Sequence, residues 1–154
     1  MRVGIVGSGN IVVTCLNAIS QIAEITCEAI VIRESSRAKG EALAKEFGIN
    51  KIYTDYQALL NNPEIDIVYI GIPNNLHYEY ALAALNAHKH VVCEKPFTSN
   101  SGERLTLSDI ARKNNLFLLE AITLLYSPNF QYIKENLEKV GDIKLVQCNY
   151  TQYS

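Results

Sequence analysis

The segment Glu94-Lys95-Pro96 follows a short apolar run, residues 91–93, in which two of the three residues are valine. Pro96 disfavours helical backbone at Lys95, so the lysine amine would extend from a rigid strand end. An amine held in this way can hydrogen-bond a hydroxyl group and assist the loss of its proton. We therefore predict that Lys95 is a catalytic residue and that Glu94 orients it or contacts a ligand.

A second polar segment, residues 71–77, follows another apolar run. Pro73 restricts its own backbone and that of Ile72, so this loop loses little conformational freedom when a ligand binds. Asn74 and His77 carry hydrogen-bonding groups. We predict that Ile72, Pro73, Asn74 and His77 contact a ligand, although the sequence leaves open that His77 is an ordinary surface residue of a first helical turn.

A glycine-rich turn joins the first apolar run to a predicted helix. In a G-x-G-x-x-G turn the second glycine lets a pyrophosphate approach the backbone, and the helix N-terminus attracts phosphate. Val12 occupies the third glycine position, so the motif is matched only in part and a turn without a ligand is the alternative. We predict that the turn binds a dinucleotide through Gly7, Ser8, Gly9, Asn10 and Ile11.

The type of dinucleotide depends on the residues that follow the second apolar run. A carboxylate there binds the ribose hydroxyls of NAD, whereas an arginine binds the 2′-phosphate of NADP. This sequence has both residue types, as Arg33 and Glu34. We therefore predict NAD or NADP as the cofactor and leave the choice open, with solvated loop charges as the alternative.

Short apolar runs alternate with amphipathic segments from residue 2 to about residue 120, the pattern of parallel β-α units. We predict strands at residues 2–6, 28–32, 51–53, 65–70, 89–93 and 116–120, and helices at residues 36–48, 77–88 and 100–115. Several strands are continuous Val/Ile/Leu runs, as expected when both faces of a sheet are covered. The predicted fold class is α/β, a doubly wound parallel sheet whose strand ends bring the polar segments together.

The pattern changes after residue 120, where a helix at residues 127–141 and a strand at residues 142–154 are predicted. A single strand cannot pair its backbone alone. We therefore predict one domain over residues 1–120 and, over residues 121–154, the truncated start of a second, α+β domain.

The 154 residues carry a net charge of −2 and are 48% hydrophobic. This balance gives no electrostatic support for binding nucleic acid or an anionic membrane. The four cysteines are scattered, which favours reduced thiols over disulfides or a metal site. The glycines at positions 7 and 9 interrupt the first apolar run too early for a signal peptide, so we expect a cytoplasmic protein with a small-molecule substrate.

Taken together, the segments "GSGNI", "GIPNNLH", "CEKPF" and "LLEAI" resemble the Gfo/Idh/MocA family of glucose-fructose oxidoreductases and inositol dehydrogenases. The resemblance implies a Rossmann NAD(P)-binding domain, followed by a larger domain that carries much of the substrate site and commonly forms homo-oligomers. It implies oxidation or reduction of a hydroxyl-bearing carbon of a sugar, polyol or related molecule. It also implies that Lys95 is the catalytic lysine and that Glu94 faces the nicotinamide.

Three positions depart from the family pattern: Val12 replaces a small residue, Ile72 replaces a threonine or serine, and Leu125 replaces a common arginine. In the family, the aspartate and histidine that complete the proton relay lie in the second domain, downstream of Ser154. We therefore expect this chain to bind the cofactor without a complete active site.

Two other functions are compatible with a glycine-rich turn after a first strand. One is a non-catalytic dinucleotide sensor, which would not need the lysine at position 95. The other is an S-adenosylmethionine-dependent transferase, whose chemistry does not need the Pro73 loop paired with Lys95.

Overall fold

Six short strands form one fully parallel sheet. The computed structural model describes residues 1–149 and 151, and the strands are Arg2–Val6 (β1), Thr26–Val31 (β2), Lys51–Tyr53 (β3), Ile67–Ile70 (β4), His90–Cys93 (β5) and Leu118–Glu120 (β6). All six strands predicted before residue 121 are present, and each boundary lies within two residues of the predicted one.

The strand order is β3-β2-β1-β4-β5-β6. This is the order of a Rossmann fold, which confirms the predicted fold class. The order reverses between β1 and β4, where Val6 pairs with Ile70. The connections that leave β1 and β4 therefore go to opposite faces of the sheet and open a crevice at the carboxyl ends of the strands.

Five helices pack on the sheet: Asn10–Ile19 (α1), Arg37–Phe47 (α2), Tyr56–Leu60 (α3), His77–Asn86 (α4) and Ser101–Lys113 (α5). Side chains cap the N-terminus of α5: the Asn100 side chain accepts a hydrogen bond from the Glu103 amide at 3.0 Å, and the Glu103 carboxylate accepts one from the Ser99 amide at 2.8 Å. The five-residue helix α3 was not predicted, because it is too short to show a helical period. Within residues 1–149 and 151, no helix is long and apolar enough to cross a membrane.

The two faces of the sheet belong to separate hydrophobic clusters. Ile5 and Ile30 pack in the cluster that includes Leu16 of α1. The neighbouring strand residues Val6 and Val31 pack in the other cluster, with side chains of α3, α4 and α5. Both faces are covered, which is why the strands are continuous apolar runs.

Val12, which stands at the third glycine position, is fully buried against the end of β4. The structure accommodates it through Gly71: a Cβ atom at residue 71 would lie 2.8 Å from Val12 Cγ2 and 3.0 Å from a ring carbon of Tyr69. The small residue that lets α1 approach the sheet therefore directly follows β4 and does not lie on the helix.

The chain divides into two compact units, Met1–Ala121 and Ile122–Ser154. The second unit contains a 3-10 turn at Thr123–Tyr126, a helix at Pro128–Glu135 (α6) and a 3-10 turn at Leu137–Val140. The strand predicted at residues 142–154 was wrong for residues 142–149, which form no strand. A strand needs a neighbour to pair its backbone, and the described part of this unit consists of helix, turns and coil. The remainder of that prediction, residues 150 and 152–154, falls outside the described residues.

Because Val12 and Gly71 are in contact, we expect the losses of unfolding free energy caused by substitutions at the two positions to be non-additive. Gly71→Ala overpacks this contact and should cost about 1–3 kcal/mol of the free energy of unfolding. Val12→Ala removes two buried methyl groups and should cost a similar amount, about 1–3 kcal/mol. The double variant should lose less than the sum, by about 0.5 kcal/mol or more, because each change relieves the other. Urea denaturation of the four proteins measures this coupling, and strictly additive losses would show that the two positions do not share one space.

Candidate cofactor and active site

The glycine turn after β1 has a conformation that requires glycine at its first position. Gly7 has φ +111°, and its amide donates a hydrogen bond to the Val31 carbonyl at 2.9 Å. A Cβ atom at this residue would collide with the carbonyl oxygen of Gly71. Gly7 therefore fixes the bend that directs the chain from β1 into α1.

Gly9 caps the N-terminus of α1 and has a different role from Gly7. A Cβ atom at Gly9 would have no protein atom within 4 Å, so the protein itself does not demand glycine there. The empty space lies where the first amides of α1 have no carbonyl partner within the helix. A ligand that carries phosphate fits this arrangement, because only glycine lets it approach the backbone closely.

A cavity of about 540 Å³ lies at the carboxyl ends of β1, β2 and β4. This volume is within the usual range for a site that binds a small molecule or a cofactor. Of the residues predicted to contact the cofactor, seven line the cavity: Gly7, Ser8, Gly9, Ile11, Arg33, Ile72 and Pro73. The others lie outside its lining: Asn10, Glu34, Asn74, His77, Glu94 and Lys95.

The end of β2 presents positive charge to the cavity. Arg33, Ser36 and Lys39 line it, whereas Glu34 does not. The Glu34 carboxylate instead accepts two hydrogen bonds from the Arg37 guanidinium, at 2.6 and 2.8 Å. These bonds hold the pKa of Glu34 below its usual value, so the carboxylate stays ionised and paired. Sequence reasoning did not identify Ser36 and Lys39; their place at the start of a helix that follows β2 was the available signal.

The segment that carries Lys95 is fixed from both neighbouring strands. The Glu94 amide donates to the Ile70 carbonyl of β4 at 3.0 Å, and the Phe97 amide donates to the Glu120 carboxylate of β6 at 3.1 Å. Lys95 itself is exposed between these anchored residues. The structure thus holds the backbone on both sides of the lysine and leaves its amine accessible.

Glu94 is bound by a residue that sequence reasoning did not identify. The Tyr69 hydroxyl donates a hydrogen bond to Glu94 Oε1 at 2.8 Å. Burial, followed by this hydrogen bond, raises the pKa of Tyr69, so the phenol stays protonated and donates. Burial and the nearby Glu94 carboxylate also raise the pKa of the Cys15 thiol, to about 11. In the sequence, the feature that could have indicated this role is the hydroxyl of Tyr69, which interrupts the otherwise apolar run that forms β4.

His77 is not among the residues that line the cavity. The residue is fully buried, and its two ring nitrogens each lie 2.8 Å from a backbone carbonyl oxygen, those of Pro96 and Ile72. Asn74 is exposed in a 3-10 turn, Asn74–Leu76, that leads into α4. Of the two polar residues of this loop that were predicted to contact a ligand, Asn74 is exposed and His77 contacts the protein backbone.

The strand order and the position of the site place this chain among the proteins with a Rossmann fold. The chain belongs to the Gfo/Idh/MocA family: the family model described as an oxidoreductase family with an NAD-binding Rossmann fold matches residues 1–121. The predicted resemblance is therefore confirmed.

Similar proteins include several named dehydrogenases and reductases. The chain is 35% identical over its whole length to the scyllo-inositol 2-dehydrogenase (NADP(+)) IolU of Bacillus subtilis, of which it covers 46%. It is 33% identical over 98% of its length to a D-xylose 1-dehydrogenase (NADP(+)) of Haloferax volcanii, again covering 46% of that protein. The chain thus spans about half the length of the curated relatives it matches.

Solved structures show the same fold. The 3-ketoreductase KijD10 of Actinomadura kijaniata, in complex with NADP and TDP-benzene, matches 90% of this chain with a TM-score of 0.84 and 30% identity; the match covers 42% of that protein. The scyllo-inositol dehydrogenase of Lactobacillus casei, with bound NAD(H) and scyllo-inositol, matches 92% of this chain with a TM-score of 0.84 and 25% identity, and 42% of that protein is covered.

Because a side chain at Gly9 would meet ligand and not protein, we expect Gly9→Val to separate binding from folding. The variant should weaken NADPH binding by about 10-fold or more, equivalent to about 1.4 kcal/mol. Its melting temperature should stay close to that of the wild-type protein, because a Cβ atom at Gly9 meets no protein atom within 4 Å. Fluorescence titration with NADPH gives both dissociation constants, and an unchanged constant for Gly9→Val would refute the assignment of the turn to phosphate.

Proposed function

We propose that this chain is the cofactor-binding part of an NADP(H)-dependent dehydrogenase that acts on a hydroxyl-bearing carbon of a sugar, polyol or related small molecule. The observation that carries the proposal is the convergence of three loops at one edge of the sheet. The loops after β1 and β4 line one cavity, and the loop after β5 is hydrogen-bonded to β4 beside it. The names of the dehydrogenases and reductases similar to this chain support the same reading over a non-catalytic sensor.

In this proposal the turn after β1 binds the pyrophosphate of the cofactor. Ser8 and Ile11 line the cavity beside the two glycines, and Asn10 begins α1. The amides at the start of α1 would donate to phosphate oxygens, and the helix dipole would favour their negative charge.

The choice of NADP over NAD follows from the charges at the end of β2. Arg33 and Lys39 would bind an adenosine 2′-phosphate, with Ser36 as a further donor. NAD instead requires a free carboxylate to bind two ribose hydroxyls. Glu34 is engaged by Arg37 and lies outside the cavity lining, which supports NADP.

The residues after β4 and β5 would hold the reacting end of the cofactor and the substrate. Ile72 and Pro73 line the cavity and would contact the nicotinamide, and Glu94, oriented by Tyr69, would bind near it. When bound, the nicotinamide would accept or supply hydride. Lys95 would hydrogen-bond the substrate oxygen and take up its proton as the alcohol is oxidised, or return the proton when the carbonyl is reduced.

The proposal extends to the protein of which this chain is part. We expect the remaining groups of the proton relay and most substrate contacts in a further domain, through which the protein would form a homo-oligomer in the cytoplasm. Family membership supports this expectation.

The charge arrangement predicts a specific change in cofactor preference. Arg33→Ala with Lys39→Ala should weaken NADPH binding by about 10-fold or more, because each charge-assisted hydrogen bond contributes about 1.5–3 kcal/mol before solvent screening. The affinity for NADH should change by less than about 3-fold, since NADH lacks the 2′-phosphate. Lys45→Ala removes one positive charge from the far end of α2 and is the control. It should leave the dissociation constants for NADPH and NADH, both measured by fluorescence titration, unchanged. Equal losses for NADPH and NADH would contradict the preference for NADP.

Turnover tests the role of Lys95. In the full-length protein, Lys95→Ala should lower the turnover of a polyol such as scyllo-inositol or a sugar such as D-xylose by about 10² to 10⁴-fold, the range for a lost acid-base group. Its NADPH affinity should stay within about 3-fold of wild type, because the lysine does not line the cavity. Lys113→Ala, at the exposed end of α5, is the matched control. Turnover at the level of this control would remove Lys95 from the mechanism.

A further inference from the structure

His77 connects two loops whose relative position matters for the proposed reaction. Its Nδ1 atom lies 2.8 Å from the Pro96 carbonyl oxygen, and its Nε2 atom lies 2.8 Å from the Ile72 carbonyl oxygen. Ile72 lines the cavity after β4, whereas Pro96 directly follows Lys95 after β5. One imidazole ring therefore spans the gap between the cofactor-facing loop and the segment that carries the lysine.

The chemistry of the two partners makes this contact specific. Both are carbonyl oxygens, which only accept hydrogen bonds, so either neutral tautomer of the ring bonds to one of them and the imidazolium bonds to both. The ring is fully buried, so no solvent replaces it as a partner. An apolar side chain at this position would leave both carbonyl oxygens without this partner, which costs stability wherever water does not replace it.

The position of His77 in the fold connects the two loops to the hydrophobic core. It is the first residue of α4, whose side chains pack in the hydrophobic core that covers one face of the sheet. The ring is therefore anchored to the body of the fold while its nitrogens contact two loops at the sheet edge. The other anchors of the lysine segment, Glu94 to Ile70 and Phe97 to Glu120, connect it to strands and not to the cofactor-facing loop.

We propose that His77 is a positioning residue: it sets the separation between the Ile72 loop and the Lys95 segment, and thereby the placement of the Lys95 amine relative to the carbon that exchanges hydride. This inference rests on the proposed function. A misplacement of about 1 Å in a reacting group can cost about 10²-fold in rate, so a contact that fixes two loops can matter without touching substrate or cofactor.

Hydrogen exchange tests the contact independently of activity. In the full-length protein, His77→Gln places its two N–H donors on one nitrogen, which cannot take the place of two ring nitrogens that each contact a different carbonyl oxygen. The Glu94 and Phe97 amides should then exchange faster than in wild type by about 10-fold or more, because local opening becomes easier. His90→Gln is the matched control: His90 also contacts the backbone, accepting from the Phe117 amide at 3.1 Å, but at the opposite end of β5. Exchange at those amides in His77→Gln equal to that in His90→Gln would overturn the proposal, and His77→Asn serves if the glutamine variant does not fold.

Steady-state kinetics test the positioning role. In sugar or polyol oxidation, His77→Gln should lower kcat by about 10- to 100-fold while the KM for NADP⁺ changes by less than about 3-fold, since His77 itself does not line the cavity. A purely structural role would lower the melting temperature and the amount of active protein without this split between kcat and KM. An unchanged kcat per active site, determined by NADPH titration, would overturn the proposal. If the wild-type protein oxidises no sugar or polyol, the proposed function fails, and the exchange rates alone still decide whether His77 joins the loops.

Discussion

The parallel pairing of β1 with β4, at the point where the strand order reverses, is the constraint on which the site depends. Because all six strands run in one direction, the loops that follow them emerge at one edge of the sheet. Close approach at this junction needs a small residue directly after each of the two strands. Gly7 bends beside the carbonyl of Gly71, and Gly71 in turn leaves room for Val12 of α1.

The loops at this edge are held by the protein and not by a ligand. Backbone and side-chain hydrogen bonds from β4, α4 and β6 anchor the segment around Lys95, and Tyr69 orients Glu94. A site ordered before binding pays less conformational entropy when its ligand arrives. It also holds reacting groups at fixed separations, which is where much of enzymatic rate enhancement originates.

The sequence predicted the features that depend on local patterns. Apolar runs located the six strands of the sheet, and amphipathic segments located α2, α4 and α5. What it could not supply depends on contacts between distant segments. The burial of His77 follows from the packing of α4 against two loops, and the engagement of Glu34 depends on one side-chain geometry. The predicted strand after residue 141 failed for the same reason, because an alternating pattern does not provide a pairing partner.

The ion pair between Glu34 and Arg37 has a consequence for how such an enzyme could diverge. The acidic group that would suit the other coenzyme is already present and is only masked by a neighbour on the surface. Under the proposed preference, replacing Arg37 would release this carboxylate, and a shift toward NAD would then require only the loss of the positive charges of Arg33 and Lys39. An exposed pair is also weakened by salt, so under the same proposal the hold of Arg37 on Glu34 would loosen as the ionic strength rises.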